Sequence, residues 1–192
     1  MIQRKEALMD NGASSYRRYL DGDDSGLVDL IRDYKDGLIL YLNGITGNFC
    51  LAEELMEDTF FKLAAKKPKF SGKSSFKTWL YSIARNAAID GMRKRSHLSD
   101  RPADDFYDIS DERDIEQDYL REEQKISLHR AMATLSSDYR QVLYLTFFED
   151  LSNAEASLVM HKTKRQIENL LYRAKLALRS KLENEGFEYE RL

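Results

Sequence analysis

Apolar residues in this chain recur at steps of three and four, the spacing that lines one face of an α-helix. Leu27, Leu30, Ile31, Tyr34, Leu38 and Leu42 form one such stripe. Leu51, Leu55, Thr59, Phe60 and Leu63 form a second, and Phe76, Trp79, Leu80, Ile83, Ala87 and Met92 a third. The pattern resumes with Leu128, Met132 and Leu135, then Tyr139, Val142, Leu143, Thr146 and Phe147. A last stripe runs through Ile167, Leu170, Leu171, Ala174, Leu178 and Leu182. No short segment alternates apolar and polar residues between turn signals, so the pattern predicts an all-α fold.

Gly44 and Gly47 are expected to break the first helix after Leu42. Lys67-Pro68 is expected to end the second, because a residue before proline avoids the helical region. Ser71 to Ser75 reads as a loop in which Ser74 or Ser75 caps the next helix. Residues 97–114 are polar and acidic and contain Pro102, the character of a flexible linker. The chain thus divides into an extension (1–19), a helical domain (20–96), the linker (97–114), a second helical domain (115–185) and a tail (186–192). Neither end has an assigned role.

Of 192 residues, 42% are hydrophobic and 33% charged, which describes a globular, charge-rich chain. The single Cys50 excludes an intramolecular disulfide and a cysteine zinc cluster. The longest apolar run, Leu38–Leu42, is far short of a membrane span, and no secretory signal is visible. A reducing cytoplasm is expected. The net charge of −3 hides a segregated distribution. Lys62 to Arg95 carries ten bases against one acid, Asp100 to Glu123 eleven acids against three bases, and His161 to Lys181 seven bases against one acid. Two basic segments on an acidic connector fit two polyanion-binding modules; solvated helix faces are the plainer alternative.

Catalysis finds no support. His97, His129 and His161 lack an HxxxH partner, and no phosphate loop, nucleophile elbow or dinucleotide turn is present. Glu54, Glu57 and Asp58 share a helix face, but no histidine stands at the spacing of a bundle metal site. An acidic face for a protein partner, or a solvated one, is the expectation. No enzymatic activity, cofactor or metal is expected.

Two segments suggest nucleic-acid binding. Ser152-Asn153-Ala154-Glu155 is a capping box, followed by a short helix through Val159 and Met160. His161-Lys162-Thr163 makes a turn, and Thr163 caps a helix starting at Lys164. That is a helix-turn-helix layout. Lys164, Arg165, Gln166 and Asn169 lie where such a helix meets base edges, and Lys162, Arg173 and Lys175 where it meets phosphates. Ile167, Leu170 and Leu171 fall on the core side. The second segment, Phe70 to Arg95, joins a small-residue loop, an aromatic helix and a basic end. Rings beside cations suit single-stranded DNA, although Phe76, Trp79, Leu80 and Ile83 also serve as a buried stripe.

These residues carry a resemblance. Ala52-Glu53-Glu54-Leu55-Met56-Glu57-Asp58-Thr59-Phe60 resembles the polymerase-binding helix of bacterial sigma factors. Trp79-Leu80-Tyr81-Ser82-Ile83-Ala84-Arg85-Asn86, with Ile89-Asp90 and Arg93-Lys94-Arg95, resembles their promoter −10 helix. Leu135-Ser136, Arg140 to Leu143, Leu151-Ser152, Tyr172 to Lys175 and Leu178-Arg179 resemble their −35-binding domain. Three motifs in order over about 20–185 are similar to the extracytoplasmic-function (ECF) group. Glu57-Asp58 replaces the usual Gln-Glu pair, His161 the turn glycine, and Glu168 a basic residue of the recognition helix.

The resemblance implies an alternative sigma factor, cytoplasmic and nucleoid-associated. Residues 20–96 would be region 2 and 115–185 region 4. Glu53, Glu54, Glu57, Asp58 and Phe60 would bind core RNA polymerase. Phe70, Ser71, Gly72, Lys73, Ser74, Lys77, Trp79, Arg85, Asn86, Arg93 and Lys94 would take the melted −10 element. Lys162, Lys164, Arg165, Gln166, Asn169, Arg173 and Lys175 would read the −35 duplex. Core polymerase and promoter DNA are the implied partners, an anti-sigma factor a further candidate, and membrane insertion is not expected. The alternatives are a one-component helix-turn-helix regulator acting without polymerase, and an interaction protein with no DNA role. The Phe70 to Arg95 segment speaks against both.

Overall fold

The computed structural model describes residues 12–96, 128 and 130–184, and these contain helices and turns with no strand. Helix α1 covers 12–20. Then follow α2 (Ser25–Thr46), α3 (Phe49–Lys66) and α4 (Phe76–Ser96). Helical residues 128 and 130–133 are α5, followed by α6 (Ser137–Leu143), a π-helical turn (Tyr144–Phe148), α7 (Asn153–Met160) and α8 (Lys164–Asn184). The linker and both chain ends of the sequence reading lie outside the described residues, apart from 12–19.

Helices α2, α3 and α4 pack on one another, with Leu30, Leu38, Leu42, Leu55, Leu63, Phe76 and Leu80 buried between them. Residues 12–19, left without a role above, belong to this bundle. Tyr16 and Tyr19 are buried, and their hydroxyls donate to the carbonyls of Pro68 (2.7 Å) and Ala64 (3.1 Å). Tyr16 also meets the Phe76 and Trp79 rings at centroid distances of 5.5 and 5.4 Å. Burial raises its hydroxyl pKa to about 12.

The helix ends follow local chemistry. α2 runs through Gly44 and stops at Gly47, two glycines being unequal as breakers: Gly47 alone takes the left-handed conformation (φ 66°), and its N–H donates to Asn43. Asn48 caps α3 by accepting from the Leu51 N–H at 2.8 Å. Lys67, also left-handed (φ 42°), ends α3 before Pro68. Ser75 caps α4, its hydroxyl accepting from the Thr78 N–H at 3.2 Å.

The second bundle buries Met132, Leu135, Val142, Leu143, Val159, Met160, Ile167 and Ala174. The π turn changes the expected stripe. Its extra residue rotates Tyr144 and Leu145 inward and leaves Phe147 55% exposed, so Phe147 is not a core residue. Met92, at the end of α4, is likewise exposed. The two bundles pack together, α4 against α7 and α2 against α6.

Candidate nucleic-acid and polymerase interfaces

The outer face of α3 presents Glu53, Glu54, Glu57 and Asp58 to solvent. Phe60 does not share it: at 5% exposure it is a core residue, and its neighbour Phe61 is the exposed ring (71%). The apolar stripe counted from the sequence already runs through Phe60 and leaves Phe61 outside it. Phe61 stands four residues from Glu57, on the same side of the helix. Among the described residues, no three His, Cys, Asp or Glu side chains converge to hold a metal.

Between α3 and α4, Ser71, Gly72 and Lys73 are exposed, and Ser74 is half-buried. Gly72 has φ 70°, a conformation that side chains rarely adopt, so the loop turns sharply there. Phe70 packs inward on Phe76 and Trp79 (centroids 5.6 and 5.2 Å). The half-buried Phe70 and Trp79 therefore anchor the loop to the bundle. Arg93 and Lys94 are exposed at the far end of α4.

The helix-turn-helix is built as its caps predict. Ser152 and Glu155 form the reciprocal capping box at the start of α7. His161 closes α7 in the left-handed conformation (φ 52°), the place where a glycine would be unstrained. Thr163 and Gln166 form a second reciprocal pair at the start of α8. The Gln166 N–H donates to the Thr163 hydroxyl (3.2 Å), and the Thr163 N–H donates to Gln166 Oε1 (2.8 Å). Gln166 thus spends its carbonyl oxygen on the cap. Lys164, Arg165, Gln166, Asn169, Arg173 and Lys175 are exposed, while Ile167 and Ala174 face the core. Lys164 lies 3.9 Å from Glu168, a weak pair one turn apart. Lys162 is ion-paired with Asp138 at 3.1 Å, and the Lys175 ammonium rests on the Phe147 ring at 4.9 Å.

The remaining α4 residues of interest face the second bundle. Lys77 Nζ lies 2.9 Å from Glu149 Oε2 and donates to the Glu149 carbonyl at 3.2 Å. Arg85 Nε donates to Gln141 Oε1 at 2.9 Å, and Asn86 Oδ1 lies 3.0 Å from His161 Nε2. Ser75 and Thr78 hydroxyls donate to Glu155 Oε1 at 3.1 and 3.4 Å. Burial alone would raise the Glu155 pKa. The hydrogen bonds from Ser152, Ser75 and Thr78 outweigh it and hold the carboxyl below its usual range. Close by, burial and then the Glu149 charge push the Tyr81 hydroxyl well above its ordinary value. Sequence reasoning missed Glu149, Glu155 and Gln141 as partners of α4. The one available signal is Gly37, a glycine at the centre of a long helix.

Two family models match in order: Sigma-70 region 2 over residues 30–98 and Sigma-70, region 4 over residues 125–178. RNA polymerase sigma-H factor of Pseudomonas aeruginosa is 30% identical over 136 residues, covering 66% of this chain and 70% of the relative. The chain belongs to the ECF group of the sigma-70 family. The ECF RNA polymerase sigma factor SigM of Bacillus subtilis is 29% identical over 154 residues, 80% of this chain and 92% of that one. The fold of Bartonella quintana sigma factor RpoE, solved with the anti-sigma factor NepR, matches with a TM-score of 0.67 at 24% identity. That match covers 81% of this chain and 95% of RpoE. In family terms most of α2, with α3 and α4, falls in the region 2 match, and α6, α7 and most of α8 in the region 4 match. No helix among the described residues is long and apolar enough to cross a membrane.

Proposed function

We propose that this chain is an alternative sigma factor that binds core RNA polymerase and directs promoter recognition and melting. The observation that carries the reading is the order of regions 2 and 4 along one chain, each with an exposed charged element. The α3 carboxylates, Glu53, Glu54, Glu57 and Asp58, dock on basic polymerase residues, with Phe61 beside them and Phe60 supporting the helix from within. The exposed loop at Ser71, Gly72, Lys73 and Ser74 takes an unstacked −10 base, and Lys77, Arg85, Asn86, Arg93 and Lys94 follow the strand. Phe70 and Trp79 hold the loop in place. Helix α8 enters the −35 major groove, with Lys164, Arg165 and Asn169 at base edges and Lys162, Arg173 and Lys175 on phosphates. Gln166 combines base contact with its cap.

In this reading region 2 comprises 20–96 with α1 added, 97–114 is the linker, and region 4 is 115–185. The protein performs no chemistry of its own and works in the cytoplasm on the nucleoid. An anti-sigma factor is a further partner, since RpoE, the structural neighbour, was solved with one. The test is run-off transcription with purified core polymerase on genomic fragments. A discrete transcript that requires this chain is expected. Tight binding of duplex DNA by the free chain, with no transcript, would instead establish a one-component regulator.

A further inference from the structure

We propose that α1 is the strut that sets the α3–α4 loop in its base-receiving shape, with Tyr16 and Tyr19 as positioning residues for −10 capture. The inference rests on the reading of that loop as the seat of the unstacked base. α1 ends at residue 20 and the region 2 match begins at residue 30, so the strut lies outside the matched segment. Tyr16 and Tyr19 stand three residues apart, on one face of the helix. Their hydroxyls answer a defect that Pro68 creates. In a continuing helix the Ala64 carbonyl would accept from the N–H of residue 68, and proline has none. The Tyr19 hydroxyl takes that carbonyl at 3.1 Å, and the Tyr16 hydroxyl takes the Pro68 carbonyl at 2.7 Å. Both tethers fall where the chain leaves α3 for the loop. Between them, the left-handed Lys67 lays its ammonium over the Tyr19 ring at 4.7 Å.

The same helix holds the rings that anchor the loop. Phe70 packs on Phe76 and Trp79, and Tyr16 packs on the same two rings. Tyr16 is 1% exposed, so one buried side chain joins the entry of the loop to its aromatic anchor. A Cβ on Gly12 would overlap the Phe76 ring and the Tyr34 hydroxyl, so only glycine lets α1 lie this close to the cluster. Arg18 ties α1 to the next helix by pairing with Asp23 and Asp29. A shift of α1 therefore moves the loop. The exposed Ser71, Gly72 and Lys73 take their position from these fixed ends, and a loop already held in its receptive shape has less ordering cost to meet on binding.

The test uses the full-length chain as wild type, Tyr16→Phe and Tyr16→Leu, with circular dichroism to check folding. Phenylalanine keeps the ring on Trp79 and loses the tether to Pro68; leucine loses both. Trp79 is the one tryptophan of the chain, so quenching of its fluorescence by acrylamide reads the anchor directly. Limited trypsin digestion, mapped by mass spectrometry, reads the loop at Lys69 and Lys73. Both variants should be cut there roughly three- to tenfold faster, since proteolysis tracks the open population, with cleavage elsewhere at the wild-type rate. Quenching should rise in Tyr16→Leu alone. With core polymerase, on a promoter that gives a run-off transcript, permanganate-detected opening of saturated complexes should fall about three- to tenfold, in step with the receptive fraction of the loop, and closed-complex affinity should stay unchanged. Folded variants with wild-type loop cleavage would overturn the strut, as would faster cleavage with normal opening. Equal losses of opening and closed-complex affinity would show a merely structural role and overturn it too. If Tyr16→Leu fails to fold, Tyr16→Phe decides alone. No transcript from the wild type would refute the sigma-factor reading, while cleavage and quenching still decide whether α1 sets the loop.

Discussion

Arg140 Nε donates to the Gly44 carbonyl at 2.8 Å, which places a region 4 guanidinium on the last turn of a region 2 helix. The same side chain donates through Nη1 to the carbonyls of Ala133 (2.8 Å) and Leu135 (2.9 Å). One cation therefore satisfies acceptors at the end of α2 and at the α5–α6 turn, where unpaired carbonyls and the helix dipole favour positive charge.

Replacing Arg140 by alanine strands these carbonyls in a half-buried setting. We expect a loss of about 2–4 kcal/mol, the range for several hydrogen bonds to a charged donor. Arg140→Lys, which presents a single ammonium, should fall between. Urea unfolding followed by circular dichroism checks this, and a loss confined to surface-mutation size in Arg140→Ala would refute the bridging role.

The caps of the helix-turn-helix offer a second measurement. Thr163→Ala removes the acceptor for the Gln166 N–H and should cost about 1 kcal/mol of stability. Gln166→Ala should also lower stability, because its carbonyl oxygen accepts from the Thr163 N–H. A Gln166 variant that weakens −35 binding with unchanged melting temperature would show the residue to be a base reader alone.

Much of this architecture is legible in the sequence, and the part that is not has a physical reason. The stripe through Leu55 and Leu63 and the caps at Ser152 and Thr163 depend on residues a turn or less apart, which a sequence displays directly. Phe147 misleads because the π turn breaks the period on which the stripe was counted. Phe60 lies on the stripe counted from the sequence and is buried, while its exposed neighbour Phe61 lies outside that stripe. The pairing of Arg85 with Gln141 spans 56 residues, and that of Ser75 with Glu155 spans 80. Such contacts depend on how two finished bundles meet, which no local pattern encodes.

Polymerase docking is tested on α3. Glu54 and Asp58 are exposed, so charge reversal there should leave the fold intact. Glu54→Lys with Asp58→Lys should weaken co-purification with core polymerase by about tenfold or more, since like charges brought together oppose association strongly. Helix content should be unchanged. Normal polymerase binding by the folded double variant removes this face from the interface.

The two DNA elements should separate by the step they affect. Ser71, Lys73 and Ser74 replaced together by alanine should impair promoter opening more than closed-complex formation, because their contacts arise only once a base leaves the stack. Arg165→Ala should instead weaken the closed complex by about 1–3 kcal/mol, the value of a base contact, and leave opening of saturated complexes near normal. Permanganate reactivity of unpaired thymines reports opening, and gel shift with competitor reports the closed complex. Full opening by the bound loop variant would move the melting role to the Arg85–Arg95 end of α4.

Glu155 supplies a pH test of the contact between the regions. Its pKa is lowered in the folded chain from an ordinary 4.5; burial opposes ionisation, but the hydrogen bonds from Ser152, Ser75 and Thr78 favour the charged form more. A carboxyl depressed by folding adds stability that is fully present above 4.5 and is lost as pH falls through its folded value. Glu155→Gln should therefore be less stable than wild type at neutral pH, and the gap should narrow as the solution becomes more acid than pH 4.5. Ser75→Ala combined with Thr78→Val removes the donors from α4 while sparing the Ser152 cap, and should narrow the same gap in part. Urea midpoints measured across this range decide the matter. A gap between wild type and Glu155→Gln that stays constant with pH would mean that the ionised carboxylate contributes nothing, and that its geometry alone joins α7 to α4.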